Sequence, residues 1–175
     1  MKATKKKLYQ DSSYTVESVE LSLDNGSVCK FPLINHPGGV VILAVNDKNE
    51  IALVRQNRFA IGEETLELPA GKLDHTPNET PLDGAKRELR EEVGVLANTW
   101  TFLGHVYPSP GILSEKLYLY LAKDLTLSEQ DLDFDEILTA EWMSLPDFQA
   151  LLLALKITDA KTLCAYMLAK ERKLL

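Results

Sequence analysis

The stretch that decides the fold of this chain is residues 87–94, which read Arg87-Glu88-Leu89-Arg90-Glu91-Glu92-Val93-Gly94. On an α-helix Glu88 and Glu92 lie one turn apart on the same face, and Glu91 lies beside them at the i+3 position. Three carboxylates this close repel one another and destabilise a helix that has no partner for them. Oxygen ligands on one rigid face suit a hard divalent cation, which in turn suits a diphosphate. The stretch therefore predicts metal-dependent chemistry on a diphosphate.

The same acids also have a purely structural interpretation. Charge runs are usually solvated helix faces, and Lys86, Arg87 and Arg90 are close enough in sequence to balance this one. The acids are concentrated, however, in the last turn of the predicted helix, where the helix dipole disfavours negative charge. A structural helix gains nothing from that placement, so the functional interpretation is favoured.

The residues around this stretch carry the signals of a helix start and a helix end. Thr80 is a candidate N-cap, Pro81 suits the first helical position, and Gly94 suits the end. Apolar residues at helical spacing predict a face that packs on a sheet and turns the charged residues to the other side. These apolar residues are Leu82, Ala85, Leu89 and Val93.

Two β-hairpins are predicted before this helix. Residues 14–23 and 28–34 flank the turn-forming Asp24-Asn25-Gly26 and predict an N-terminal β-hairpin. Residues 40–45 and 51–55 are β-branched runs on either side of a polar turn, which predicts a second hairpin.

The remaining elements complete an α/β fold in which helices cover a mixed sheet. Further strands are predicted at residues 66–68, 100–107, 116–122 and 139–143, and helices at 145–155 and 159–170 after the caps Ser144 and Asp159. We expect one domain over residues 1–175, with N-terminal strands in 1–36 and a catalytic core in 37–175.

Composition limits the classes of partner. With 175 residues, 45% apolar, and a formal net charge of −7, the chain fits one domain that attracts neither nucleic acid nor anionic membrane. A polyanionic ligand would need metal ions and placed cations such as Arg58, Lys72 and Arg87. No apolar run is long enough to span a bilayer, no secretion signal is evident, and Cys29 and Cys164 lie far apart. We therefore expect a cytoplasmic protein.

The acidic stretch and its approach resemble the Nudix box, the signature of hydrolases that cleave nucleoside diphosphates linked to another moiety. The matching positions are Gly71, Glu79, Arg87-Glu88-Leu89, Glu91-Glu92 and Gly94-Val95. Seven residues separate Gly71 from Glu79 where the family pattern normally has five, which leaves the loop path and the role of Glu79 open. The resemblance implies an α/β/α sandwich.

The resemblance also implies roles for individual residues. Glu88, Glu91 and Glu92 would bind Mg²⁺ or Mn²⁺ together with the backbone carbonyl of Ala70, and Glu91, Glu92 and Arg87 would be catalytic. Arg87 would hold a glutamate in place, although an ordinary surface ion pair is its alternative role.

Outside the box, two segments resemble the branch that hydrolyses ADP-ribose and nucleoside diphosphate sugars. In residues 55–72, Arg58 and Lys72 would contact the diphosphate and Glu67 would support them. Residues 107–115 resemble the Ser-Pro-Gly loop of that branch and are expected to bind substrate, although a rigid turn is the alternative. Its candidate residues are Ser109, Gly111 and Glu115.

A third segment, residues 131–136, resembles the acidic loop that supplies the general base in that branch. Asp135 and Glu136 are the candidates, although acidic runs are often only solvated loops. His36, His75 and His105 are not at the spacing of a catalytic or zinc site, and we expect them to be structural or solvent-facing.

The sequence thus predicts metal-dependent hydrolysis of nucleoside diphosphate sugars, with ADP-ribose as one substrate. A pyrophosphatase specific for ADP-ribose is the alternative within the enzyme class, and a non-catalytic nucleotide-sugar-binding regulator is the alternative outside it. The resemblance further implies a homodimer through the N-terminal strands. Tyr14, Phe31 and Leu33 could equally cover the core of a single chain.

Overall fold

Three β-sheets organise the chain in the computed structural model, which describes residues 2–73, 76, 78–132, 134 and 137–175. The N-terminal sheet is antiparallel throughout and contains β1 (Lys2–Gln10), β2 (Thr15–Ser22) and β3 (Val28–Asn35). The predicted hairpin is confirmed as β2 and β3, joined through a turn in which Gly26 adopts a φ of 85°.

The first strand of this sheet is one that sequence reasoning missed. β1 pairs with β2, and all nine of its residues are exposed. It therefore has no buried face that would impose an alternation of apolar and polar residues, which is the signal by which strands are recognised. Ion pairs such as Lys5 with Glu17, at 3.1 Å, join it to its neighbour.

Two further sheets form the body of the protein. The antiparallel sheet has the order β10-β5-β6, and the mixed sheet has the order β7-β4-β9-β8, with β4 and β9 parallel. Their strands are β4 (Gly39–Ala44), β5 (Glu50–Arg58), β6 (Glu63–Glu67), β7 (Ala70–Lys72), β8 (Val95–Val106), β9 (Leu117–Leu127) and β10 (Leu138–Ser144). The α/β class and the mixed sheet are confirmed.

The second predicted hairpin is wrong. Residues 40–45 and 51–55 are adjacent in sequence, yet β4 pairs with β7 and β9 while β5 pairs with β6 and β10. Only an isolated bridge between Val45 and Ile51 joins them. Both runs are apolar on both faces, so each is a central strand with neighbours of its own rather than half of an exposed ribbon.

Helices cover both faces of the mixed sheet. The side chains of β4 alternate between two cores, with Val41 and Leu43 in the core of Phe148 and Ile42 in the core of Leu89. Phe148 lies on α2 (Leu145–Leu153), and α3 (Ala160–Glu171) packs in the same core. These helices begin after Ser144 and Asp159, which confirms both predicted caps.

The acidic helix begins and ends as predicted, but its last turn is wider than expected. In α1 (Pro81–Glu88) the Thr80 hydroxyl accepts a hydrogen bond from the Asp83 backbone N–H at 3.2 Å. The next turn, Leu89–Val93, is π-helical rather than α-helical and stops at Gly94, whose φ is 72°. Widened turns of this kind often occur at functional sites.

Among the described residues there is no helix with the length and apolar character that crossing a membrane requires.

Candidate active site

A pocket of about 480 Å³ lies where β7, the π-helical turn, β5 and the start of α3 meet. It gathers most of the residues that the sequence singled out, although they are distant along the chain. Its charged lining residues are Arg58, Lys72, Arg87, Glu88, Glu92, Glu115, Asp159 and Lys161, and Ala70 and Gly71 contribute backbone.

Glu88 and Glu92 are buried beneath β7 rather than exposed on an outer helix face. Only 4% of Glu88 and 2% of Glu92 are accessible to solvent. The Ala70 backbone N–H donates to Glu92 Oε2 at 2.8 Å. A Cβ atom on Gly71 would lie 1.8 Å from Glu88 Oε1, so only glycine leaves room for that carboxylate. The glycine therefore sets how closely the acids approach the strand.

Arg87 links the acids of this region. Its Nε donates to Glu79 Oε1 at 2.8 Å, and its Nη1 donates to Glu88 Oε1 at 2.7 Å and to Glu91 Oε2 at 2.8 Å. Burial lowers the pKa of Arg87, but its hydrogen bond to Glu79, the charge of Glu88 and its hydrogen bond to Glu91 outweigh burial and raise that pKa. Despite the two extra residues before it, Glu79 therefore reaches the helix and pairs with Arg87.

The residues present fit a divalent metal by their chemistry. Glu88 and Glu92 put carboxylate oxygens at the pocket beside Ala70, and hard oxygen donors of this kind suit Mg²⁺ or Mn²⁺. In the part of the chain that the structure describes, no three His, Cys, Asp or Glu side chains are gathered as a metal site. Arg87 instead occupies Glu88 and Glu91. The assignment of Glu88, Glu91, Glu92 and the Ala70 carbonyl as metal ligands therefore stays a prediction.

The balance of charge around the pocket also favours the binding of divalent cations. Among the described residues, the pocket lining and its direct ion-pair partners contribute seven carboxylates and four Lys or Arg side chains, with His36 beside Glu115. The acids are Glu67, Glu79, Glu88, Glu91, Glu92, Glu115 and Asp159, and the bases are Arg58, Lys72, Arg87 and Lys161. A diphosphate would be repelled by this excess of negative charge unless divalent cations came with it.

A second ion-pair cluster surrounds Glu67, which is 2% exposed. Arg58 donates to both of its oxygens, at 2.7 and 2.5 Å, and Thr65 Oγ1 and Lys161 Nζ donate as well. Burial raises the pKa of Glu67, but the hydrogen bond from Arg58 and the charge of Lys161 prevail and lower it to about 2. Glu67 thus holds Arg58 and Lys161, which both line the pocket.

Lys161 is a pocket residue that sequence reasoning did not single out. It lies in the tail helix, far in sequence from every motif, and a single lysine in a helix carries no signal of its own. The one local clue was the cap Asp159, which positions the first turn of α3 and pairs with Lys161 at 2.9 Å.

His36 lies in the pocket beside Glu115. Its Nδ1 accepts a hydrogen bond from the Gly38 backbone N–H at 2.9 Å, its Nε2 lies 3.5 Å from Glu115 Oε1, and the Tyr14 ring packs against it. The backbone contact agrees with the structural role expected of this histidine. His105 packs on Tyr107, and His75 lies outside the described residues.

Four candidates among the described residues do not line the pocket: Glu67, Glu91, Ser109 and Gly111. Ser109 and Gly111 belong to a tight turn in which the Ser109 carbonyl accepts hydrogen bonds from the Ile112 and Leu113 N–H groups. Pro108, just before this turn, lines the pocket. Asp135 and Glu136, the proposed general bases, lie outside the described residues.

Comparison with known proteins places these features in a family context. The NUDIX domain model matches residues 35–166. ADP-ribose pyrophosphatase from Bacillus subtilis (strain 168) is 38% identical over 160 residues, which cover 89% of this chain and 84% of that protein. The methanol dehydrogenase activator of Bacillus methanolicus is 34% identical over 148 residues, covering 83% of this chain and 79% of that protein.

A solved structure extends the similarity to nearly the whole chain. The crystal structure of an ADP compounds hydrolase superposes with a TM-score of 0.82 at 27% sequence identity, covering 98% of this chain and 94% of that one.

Replacing Gly71 with alanine is expected to displace the Glu88 carboxylate, because the new methyl group would occupy its position. A displacement of about 1 Å in a catalytic site can lower turnover about hundredfold. Steady-state kinetics measures the turnover, and thermal unfolding measures the stability of each variant. Gly26→Ala is the control: it lies in open space at a φ of 85°, so it should cost about 1 kcal/mol of stability and leave turnover unchanged. Normal turnover in Gly71→Ala would contradict this account.

The lowered pKa of Glu67 predicts a dependence of stability on pH. A carboxyl whose pKa falls from 4.5 to about 2 on folding stabilises the native state above pH 4.5, and that contribution disappears as the pH falls towards 2. Urea unfolding of wild type and Glu67→Gln between pH 7 and 2.5 should show a difference that shrinks by about 3 kcal/mol on acidification. The exposed Glu171→Gln serves as the control. If the free energies of unfolding of wild type and Glu67→Gln changed in parallel with pH, the lowered pKa of Glu67 would be disproved.

Proposed function

This chain belongs to the NUDIX family, and we propose that it hydrolyses the diphosphate bond of nucleoside diphosphate sugars, ADP-ribose among them. The products are a nucleoside monophosphate and a sugar phosphate. One observation carries the proposal: the pocket that holds Arg87, Glu88 and Glu92 against β7 occurs in a chain 38% identical to an ADP-ribose pyrophosphatase. The chain is therefore assigned to the hydrolases.

Nudix hydrolases generally depend on a divalent metal, and we propose Mg²⁺ or Mn²⁺ as the ion used here. Glu88, Glu91, Glu92 and the Ala70 carbonyl would hold it. When bound, such an ion neutralises phosphate charge and lowers the pKa of a water molecule. Arg87 keeps Glu88 and Glu91 side by side, since its Nη1 donates to both.

The other site residues bind the substrate and move its protons. Arg58 and Lys72 offer donors to the diphosphate from the pocket wall. Glu115 lines the same pocket and would accept a hydrogen bond from a sugar hydroxyl. Asp135 or Glu136 would take the proton from the attacking water, and the bond to the bridging oxygen then breaks in line.

We propose a broad choice of base. Tyr14 lines the pocket and is 37% exposed, and an aromatic ring stacks on any base because every base has a π-face. Lys30-Phe31-Pro32 lies on β3 and offers few side chains that would distinguish bases by hydrogen bonding.

A second candidate function is binding without turnover. One relative carries the name of an enzyme activator, which favours a regulatory role for a chain of this family. A regulator would bind ADP-ribose, which calorimetry would detect, and would release no product. The hydrolysis screen below therefore separates the two candidates.

We also propose that the protein is a homodimer formed through its N-terminal sheet. β1 is an edge strand with nine exposed residues, and Leu8 and Val28 of this sheet are 59% and 52% exposed. Light scattering should give twice the mass of 19.6 kDa for one chain. Leu8→Asp combined with Val28→Asp should give the single-chain mass, while Leu153→Asp, on another surface, should not. A single-chain mass for the wild type would refute the dimer.

A hydrolysis screen over ADP-ribose, GDP-sugars and UDP-sugars with Mg²⁺ tests the function. We expect turnover of several substrates, and activity on ADP-ribose alone would establish the specific alternative. Glu92→Gln should lose turnover by about hundredfold or more, because it removes a charge that the reaction needs. It should fold normally, since the amide oxygen still accepts from the Ala70 N–H. Glu136→Gln tests the general base.

Glu171→Gln is the matched control for these variants, because Glu171 is exposed at the end of α3 and lies outside the pocket lining. Near-normal activity in Glu92→Gln would reject its assignment as a ligand. Release of no product from any of these substrates by the wild type would reject the proposed function itself.

A further inference from the structure

The first turn of α3 forms one wall of the active-site pocket. Asp159, Ala160 and Lys161 all line it. The turn is held rigidly, because the Leu68 backbone N–H donates to Thr162 Oγ1 at 2.8 Å and Thr162 is fully buried. Leu68 immediately precedes the segment that carries Ala70 and Gly71. The position of Lys161 is therefore coupled directly to the strand against which the catalytic carboxylates pack.

The ammonium group of Lys161 keeps donor capacity for a ligand. A lysine has three N–H donors, and the acceptors of Lys161 in the described chain are Glu67 and Asp159. Arg58 likewise uses its Nε and Nη2 on Glu67, which leaves the far side of its guanidinium. One buried carboxylate thus orients two cations whose remaining donors belong to the pocket wall.

The buried Glu67 carboxylate does not need Lys161 as a second cationic partner. Arg58 already meets both oxygens of Glu67, and Thr65 adds a third hydrogen bond. Holding Lys161 there as well sacrifices side-chain entropy and removes most of a charged group from water, since its side chain is only 14% exposed. A bound anion would offset that cost because it restores a strong charge-assisted partner.

The placement of the two cations matches a phosphate group. Arg58 and Lys161 line the same pocket as Glu88 and Glu92. Arg58 and Lys161 therefore adjoin the acids proposed to hold the metal, and a diphosphate in the same pocket would contact the metal and these cations together.

We propose that Lys161 is a substrate-binding residue that donates a hydrogen bond to a phosphoryl oxygen, paired with Arg58 and oriented by Glu67 and Asp159. This role rests on the proposed function, because it assigns the diphosphate of that substrate to this wall of the pocket.

Calorimetry with inorganic pyrophosphate in Mg²⁺ buffer tests the role without turnover, alongside KM and kcat for ADP-ribose. Lys161→Met should weaken pyrophosphate binding about tenfold, or about 1.4 kcal/mol, and raise KM about as much while kcat changes less. Lys161→Gln should give the same loss while its amide still donates to Glu67, which covers the case in which the methionine variant does not fold. Lys156→Met, at an exposed lysine outside the pocket lining, is the matched control.

Thermal unfolding of each variant confirms that the comparison is made between folded proteins. The proposal is overturned if folded Lys161→Met or Lys161→Gln binds pyrophosphate within twofold of wild type, if Lys156→Met loses as much, or if the wild type binds no pyrophosphate. A wild type that binds pyrophosphate and hydrolyses no nucleoside diphosphate sugar would refute the proposed function, and the calorimetry would still decide the role of Lys161.

Discussion

The burial of two carboxylates against a strand backbone is the constraint on which the site depends. Glu88 and Glu92 are almost inaccessible to solvent, and an isolated charge in such a place costs several kcal/mol. Backbone and side-chain donors offset that cost, the Ala70 N–H for Glu92 and Arg87 for Glu88. The absence of a side chain at Gly71 lets the acids come close enough to use these donors.

Two ion-pair clusters then divide the work of this Nudix hydrolase. The cluster around Arg87 joins three acids and remains rich in negative charge, as a site for divalent cations should be. The cluster around Glu67 has the opposite design, because one buried acid organises Arg58 and Lys161. Under the proposed function, metal and phosphate would each meet side chains that are already oriented, which reduces the reorganisation needed when substrate binds.

The features that could be predicted from the sequence are those set by contacts between residues close together in the chain. The caps Thr80, Ser144 and Asp159 were found because a cap is a contact between residues three apart. The π-helical turn was missed because residues 89–93 have ordinary helix propensities. The division of β4 and β5 between two sheets, and the arrival of Lys161 at the pocket, depend on contacts between distant segments that no periodicity encodes.

That division of neighbouring strands also affects how the protein reaches its native state. Each of these strands has one partner nearby in sequence, β7 for β4 and β6 for β5. For its other edge β4 must wait for β9, whose Leu117 pairs with Gly39, and β5 must wait for β10, whose Ala140 pairs with Val54. Pairings this distant require large loops to close before they stabilise anything, which slows folding. On the ribosome, β4 and β5 therefore emerge long before β9 and β10, and shielding of nascent β4 and β5 by a chaperone would limit aggregation during synthesis.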